Sequence, residues 1–497
     1  MTDVAHTALG DVIGQRADGV IRFHAVPYAR PPIGALRFAP PQPIEPWSAT
    51  LDARAPGAIA PQPPSRLRLA MGDFNRQQDE DCLTLAIATP AADDARRPVI
   101  VWLHGGAFLS GGGSLEWYDG GRLAQTGDAV VVGVNYRLGP LGYLYWPGLG
   151  DGLMGIQDMV VALRFVRDHI SAFGGDPENV TLMGQSAGAI AIMRLLDMPE
   201  TNGLFRRVIV QSGPPRRSHD TDTALQRSRR LLELLEIDPD GADPATPLRA
   251  VPAEGLATLQ MQIARENARF AAIDPAFPPL FAETGDVAAF STRVATACAE
   301  RDVDVLLGWT REEMNAFFVA DPAMASPDSS AVAAQFEALT GSAATIDLYR
   351  RLRPGADWRD LLGDLVTDHR FIFPAIGLAE RLHALGRPAH LYEFSWAPAG
   401  SPWRACHCID LPFVFGNRTA WNAPMLAGMT DADYDGLSTT MMAAWLSFAR
   451  HGEPTVPDLV WPRYEPQQRP VMRFDTRTGA ESDFSAPQRR QRSVIPY

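Results

Sequence analysis

The sequence predicts an α/β fold, with a mostly parallel central sheet flanked by helices and large helical insertions over the active face. Three observations predict it. Continuous apolar runs without alternation recur as PVIVWL (98–103), AVVVGV (129–134), VTLM (180–183) and RVIVQ (207–211), as expected of strands buried on both faces. Segments with helical spacing of apolar residues separate several of these runs, the βαβ alternation of a parallel sheet. Glycines or small residues stand where the runs end, marking sharp turns.

The elements follow in order. The N-terminal ~100 residues are short apolar segments punctuated by proline, as in FHAVPYARPPIGALRFAPPQPIEPW (23–47), and read as irregular loops and short antiparallel strands. Residues 62–81 are polar and read as a surface loop. The runs at 98–103 and 129–134 are the first two buried strands. Between the second and third, Ile156, Val160, Leu163, Phe165, Val166 and Ile170 repeat at helical spacing, and Gly174–Gly175 stop the helix. After Pro215 the chain becomes rich in Ala, Leu and Arg with helical periodicity, as in RSRRLLELLE (227–236). Buried strands return at DVDVLLGWT (302–310) and AHLYEFSW (389–396). Helical stretches lie between them, around AVAAQFEAL (331–339) and across 360–386.

Composition excludes several chemistries. The net charge is −13, and a nucleic-acid partner needs basic patches. Clusters such as Arg227, Arg229 and Arg230 read as a solvated helix face. No apolar run reaches the ~20 residues that span a bilayer, and MTDVAHTALGDVIG lacks the basic and apolar regions of a signal peptide, so a cytoplasmic location is expected. All 45 basic residues are Arg. Schiff-base catalysis, pyridoxal-phosphate attachment, a Walker lysine and a Ser–Lys dyad are therefore excluded. Cys82, Cys298, Cys406 and Cys408 are too few for a disulfide framework. Cys406-His407-Cys408 resembles a metal-binding spacing, but no second ligand cluster accompanies it, and no metal is expected.

The stretch VTLMGQSAGAIA (180–191) places Ser186 between glycines where a buried strand turns into a helix. Glycines there serve close packing equally well, and a serine hydroxyl is a weak nucleophile until a base removes its proton. Partners should lie at other strand ends, where the catalytic groups of a parallel sheet collect. His104-Gly105-Gly106-Ala107 follows the 98–103 strand, and such small residues let backbone N–H groups face an oxyanion. Glu312 and Glu313 follow the 302–310 strand; a solvated acidic pair is the competing reading. Among the histidines, His6, His24, His219 and His383 lie in polar or helical surroundings, His390 opens a strand and His369 sits within a helix. His407 again follows a strand end. The chain order Ser, Glu, His is that of α/β-hydrolases.

At these residues the chain resembles a known family. LRFAPPQP (36–43), EDCLTL (80–85), HGGAF (104–108), NYRLG (135–139), FGGDPENVTLMGQSAG (173–188), QSG (211–213), GWTREEMNAFF (308–318), HCIDLPFVFGN (407–417) and WLSFARHGEP (445–454) are similar, in order, to motifs of the type-B carboxylesterase and cholinesterase-like family. The resemblance runs nearly end to end and is nearest to bacterial p-nitrobenzyl esterase-like members. It implies a single α/β-hydrolase domain over 1–497, with helical insertions at about 215–300 and 315–385. It further implies Ser186 as nucleophile, Glu313 as orienting acid and His407 as base, with backbone N–H groups of Gly106, Ala107 and Ala187 as oxyanion donors. Ser212 matches a buried serine near the triad. Arg37 with Glu80, and Arg137 with Asp176, match structural ion pairs.

The sequence also departs from the family. Gln185 stands where most members carry Glu, Ala107 replaces the third glycine of the oxyanion loop, and Met314 replaces the glycine after the acid. The family's early disulfide partner is missing, since the expected Cys-Pro-Gln reads Ala60-Pro61-Gln62, which fits a reducing compartment. Residues 62–79 hold no Trp, so choline recognition through a cation–π contact is not expected.

The implied function is serine carboxylesterase activity through an acyl-enzyme, without cofactor. Activity should rise with pH as His407 loses its proton. Phe108, Phe277, Met314, Phe317 and Trp403 are expected pocket residues, with Leu109, Phe281, Phe318 and Phe413 further candidates. An apolar lining would favour aryl or short-to-medium alkyl esters over charged ones. A small-molecule ester substrate and a monomer or small homo-oligomer are expected. Amide, carbamate or lactone hydrolysis by the same triad, and a non-catalytic binding role, remain as alternatives.

Overall fold

The computed structural model describes residues 3–215, 220–280 and 286–490. Its centre is an eleven-stranded sheet. The strands, in chain order, are β1 (Gln15–Ala17), β2 (Val20–Pro27), β3 (Thr84–Thr89), β4 (Arg97–Leu103), β5 (Val130–Val134), β6 (Gly175–Gln185), β7 (Arg207–Gln211), β8 (Asp304–Thr310), β9 (His390–Phe394), β10 (Val471–Phe474) and β11 (Gly479–Glu481). Their order across the sheet is β11-β10-β9-β8-β7-β6-β4-β5-β3-β2-β1. Strands β5, β4, β6, β7, β8, β9 and β10 run parallel, and the pairs at both edges are antiparallel. Every residue of β4 and β5 is buried, which explains why their sequences do not alternate.

The proline-broken N-terminal segment supplies the antiparallel edge. It also forms a separate small sheet from Val4–Thr7, Gly10–Ile13 and Leu51–Asp52. Strands β10 and β11, too short to stand out in the sequence, close the other edge.

Helix α1 (Met154–His169) links β5 to β6 and buries Ile156, Val160, Leu163, Phe165 and Val166, the periodic residues of its sequence. Helix α2 (Ala187–Leu196) follows β6 directly. Between β7 and β8 lie α3 (Thr221–Leu234), α4 (Ala253–Glu266) and α5 (Val287–Glu300). Between β8 and β9 lie α6 (Ser329–Thr340), α7 (Trp358–Thr367), a π-helical turn (Asp368–Ile372) and α8 (Phe373–Ala384). Helix α9 (Asp431–His451) packs behind the sheet, started by a Thr430/Asp433 capping box and ended by Gly452 at φ 80°.

Two expected ion pairs fare differently. Arg37 and Glu80 form a two-pronged pair, with Arg37 Nε 2.7 Å from Glu80 Oε2, and Arg37 Nη1 reaches the carbonyl of Arg249 at 2.8 Å. The N-terminal segment is thereby tied to the insertion after β7. Arg137, by contrast, pairs with Asp158 of α1 at 2.7 Å, both side chains being buried, while Asp176 pairs with Arg96 at the surface. The length of the sheet separates the expected partners. Arg137 follows the carboxyl end of β5, whereas Asp176 lies at the opposite, starting end of the parallel β6.

Candidate active site

The carboxyl ends of β4 and β6, with Phe317 beyond β8 and the loop after β9, converge on one open cavity of about 760 Å³, its mouth included. Strand β6 ends at Gln185, and Ser186 turns the chain into α2 with φ 54° and ψ −118°. A β-carbon at Gly188 would lie 1.9 Å from the Leu103 carbonyl oxygen, and one at Gly184 would lie 2.7 Å from the Gly188 carbonyl carbon. Glycine is therefore required on both sides of this serine. The strained φ of Ser186 is held by its N–H donating to Gln211 at 2.9 Å and by Ile190 N–H donating to its carbonyl at 2.9 Å.

Past the end of β4, three consecutive residues take left-handed backbone: Gly106 (φ 107°), Ala107 (φ 57°) and Phe108 (φ 59°). The loop is folded back on itself, since Leu109 and Ser110 N–H both donate to the Gly106 carbonyl at 3.1 Å. Gln62 clamps it from outside by accepting from Gly111 N–H at 2.5 Å and donating to the Gly111 carbonyl at 2.7 Å. Gly106, Ala107 and Ala187 all line the cavity, and their N–H groups donate no hydrogen bond among the described residues. Three unspent donors beside Ser186 are the chemistry an oxyanion needs.

Past β8, the two glutamates separate by function of the backbone turn. Glu313 is fully buried: Oε1 accepts from Thr310 N–H at 2.9 Å and Oε2 faces Nδ1 of the buried His407 in a short contact. Glu312 turns the other way, exchanging hydrogen bonds with Ala405 and lying 3.7 Å from Arg353. Burial raises its carboxyl above the ordinary range. With Nδ1–H given to Glu313, the Nε2 of His407 is left as an acceptor, and the Gln185 side-chain amide donates to it at 3.1 Å. Ser186 Oγ makes no hydrogen bond to His407 among the described residues. Phe317 and Phe371 flank the imidazole with ring centroids 5.4 and 5.7 Å away.

Other buried groups surround this set. His104 donates its Nδ1–H to the Gly105 carbonyl at 2.7 Å, stacks on Tyr136 and is pushed down to about 4 by burial. Asp410 is fully buried and pushed up to about 6 by burial, with Gln211 and Tyr392 each donating to Oδ2 at 3.0 Å. Ser212, buried at the end of β7, shares the positive φ of Ser186, 54°, and its hydroxyl has no partner among the described residues. All four cysteines are free and buried. Among the described residues no cluster of three or more His, Cys, Asp or Glu is placed to hold a metal, and no helix is long and apolar enough to cross a membrane.

The structure brings Ser186, Glu313, His407, Gly106, Ala107 and Ala187 together. Of the expected pocket residues within the described chain, Phe317 lines the cavity, and Phe108, Leu109, Phe277, Met314, Phe318, Trp403 and Phe413 do not. Phe108 turns behind the 104–107 turn onto Tyr143, Phe277 joins the core under the insertion, Met314 is sealed at 0% exposure, and Trp403 packs into the second core layer. Phe281 and His219 lie outside the described residues. The cavity wall instead comes from segments without motifs: Ser65, Arg66, Leu67, Met71, Phe74, Trp117, Tyr118, Ile273 and Phe371. The polar 62–81 segment is thus partly a wall of the site. Its apolar Leu67, Met71 and Phe74 at roughly helical spacing were the available signal, and a short helix, Arg68–Met71, forms there.

Comparison with known proteins agrees with this architecture. The carboxylesterase family model matches residues 1–491. The chain is 36% identical to the para-nitrobenzyl esterase of Bacillus subtilis (strain 168) over 98% of each chain. It is 34% identical to the phenmedipham hydrolase of Pseudarthrobacter oxydans over 94% of each. The crystal structure of a Geobacillus stearothermophilus carboxylesterase superposes with a TM-score of 0.84 at 30% identity, covering 99% of this chain and 100% of the other. A match over the whole length in sequence, and over the α/β-hydrolase fold in structure, places the chain in the carboxylesterase family, as a carboxylic ester hydrolase.

Proposed function

We propose that the chain hydrolyses esters in two half-reactions through an acyl-enzyme on Ser186. The observation that carries this reading is the buried Glu313–His407 contact, which leaves Nε2 as the acceptor beside a strained serine at the cavity wall. His407 Nε2 takes the Ser186 proton as Oγ attacks the ester carbonyl, and Glu313 stabilises the imidazolium. For this the imidazole exchanges the Gln185 amide for Ser186 Oγ. N–H groups of Gly106, Ala107 and Ala187 hold the oxyanion, where loss of one such donor typically costs ~3 kcal/mol. The protonated His407 then gives its proton to the leaving alcohol, and water repeats the sequence to release the acid. This chemistry requires no cofactor.

The apolar walls support aryl or short-to-medium alkyl esters as substrates, bounded by Leu67, Met71, Phe74, Phe317 and Phe371. Four free, buried thiols support a reducing, cytoplasmic location. The test is hydrolysis of p-nitrophenyl butyrate by the wild type and Ser186→Ala, checked for equal folding. Activity confined to the wild type is expected. Equal activity in both would place the chemistry elsewhere.

A further inference from the structure

The cavity is not wholly apolar. Arg66 lines it beside Ser65, at the part of the wall formed by residues 65–74. Its side chain is half-buried and makes a single hydrogen bond among the described residues, from Nη2 to the Ile273 carbonyl at 2.9 Å. It has no carboxylate within ion-pair distance among those residues. The nearest acid that influences it, Asp274, is taken by Arg370 at 2.8 Å. Nor are the remaining Arg66 donors sealed in protein, because neither Nε nor Nη1 is a buried, unpartnered atom, whereas such nitrogens occur on Arg16, Arg76 and Arg370. Nε and Nη1 of Arg66 therefore each keep some exposed surface. Burial pulls the guanidinium below its ordinary value, with Asp274 opposing the shift and Arg370 adding to it. A charge removed from water and left without a counter-ion is costly unless a partner arrives with the ligand.

We propose that Arg66 is a specificity-determining residue that selects esters carrying a carboxylate away from the scissile bond, received by its free N–H groups in charge-assisted hydrogen bonds. A planar guanidinium fork matches a carboxylate in geometry as well as charge. The apolar walls receive the linking aryl or alkyl part, and the Ser186 region receives the ester carbonyl. The inference rests on the ester-hydrolase reading above and names the substrate class within it.

The experiment uses two matched pairs. The leaving-group arm compares 4-(butyryloxy)benzoate with its neutral methyl ester. The acyl arm compares the mono-p-nitrophenyl ester of adipic acid with p-nitrophenyl butyrate. For each pair the ratio of kcat/KM, anionic over neutral, is measured in wild type, Arg66→Gln and Arg66→Lys. Comparing one ratio between variants cancels the intrinsic reactivity of the esters. In the arm that matches the site, the ratio is expected to fall tenfold or more in Arg66→Gln, to fall less in Arg66→Lys, and to fall in the wild type at high salt. Ratios unchanged in Arg66→Gln in both arms would overturn the inference while leaving the esterase reading intact. Turnover of none of the four esters by wild type would overturn both. Should Arg66→Gln fail to fold, inhibition of the wild type by benzoate and by benzamide reads the same preference. Benzoate binding at least tenfold tighter supports it, and equal inhibition overturns it.

Discussion

Replacing Glu313 by Gln should lower kcat on p-nitrophenyl butyrate by about 10³- to 10⁴-fold, and the structure shows why a nearly isosteric change is so costly. Oε1 of Glu313 accepts from Thr310 N–H at 2.9 Å, and Oε2 meets Nδ1 of His407. A carboxylate accepts at both places, whereas an amide accepts at one. If the amide oxygen stays on Thr310, the NH₂ faces Nδ1, and the imidazole must move its proton to Nε2, the nitrogen that takes the Ser186 proton in the proposed reaction. Flipping the amide restores the tautomer but sets NH₂ against a buried N–H, at a cost of ~1–3 kcal/mol for the unsatisfied donor. The wrong tautomer therefore dominates, and the same acid-to-amide change in serine proteases lowers kcat about 10,000-fold. Glu312→Gln is the control. Its side chain accepts from Ala405 N–H at 3.2 Å and lies 3.7 Å from Arg353, and Gln keeps the acceptor while losing a weak ionic contact. Its kcat should stay within about tenfold of wild type. Steady-state kcat for both variants, normalised to folded enzyme, decides the matter. Equal losses, or a larger loss in Glu312→Gln, would refute Glu313 as the orienting acid.

Two further outcomes test the surroundings of the site. Ser212→Ala should keep ester hydrolysis within about tenfold of wild type, because the Ser212 hydroxyl has no partner among the described residues; complete loss of kcat with the fold intact would give it a direct role. Asp410→Asn should gain thermal stability relative to wild type as pH rises. Burial raises the Asp410 carboxyl from 3.8 to about 6, so the folded state favours its protonated form. That advantage is full below the unfolded value and is lost as pH climbs through the folded one, a difference of about 3 kcal/mol. The melting-temperature gap, variant minus wild type, should widen between pH 4 and 6 and flatten above 7. A gap independent of pH would show that Asp410 does not titrate in this window.

The parts of the site legible in the sequence are those whose chemistry and backbone geometry are local. Strands buried on both faces read as unbroken apolar runs, so β4 to β9 were visible, and their carboxyl ends pointed to Ser186, the 104–107 turn, the Glu312–Glu313 pair and His407, the family resemblance alone choosing Glu313. The cavity wall was not legible, for two physical reasons. Chain adjacency to a motif does not fix direction: Met314 follows Glu313 but turns into the core, and Phe108 follows the 104–107 turn with a left-handed φ of 59° that sends its ring to Tyr143. The pairing of Arg137 with Asp176, implied by the resemblance, failed as well, because the two residues stand at opposite ends of the sheet. The second reason is that the wall is assembled from distant segments. Residues 65–74 belong to a segment that reads as a polar loop, yet Leu67, Met71 and Phe74 line the cavity beside Ser65 and Arg66, while Leu69 is exposed. Phe371 illustrates the same point within a helix. A period of 3.6 residues read through 360–386 takes the segment as regular, but Asp368–Ile372 forms a wider π turn that shifts which side chains share a face. That turn sets Phe371 against His407, where the sequence shows only one more aromatic residue in an apolar helix.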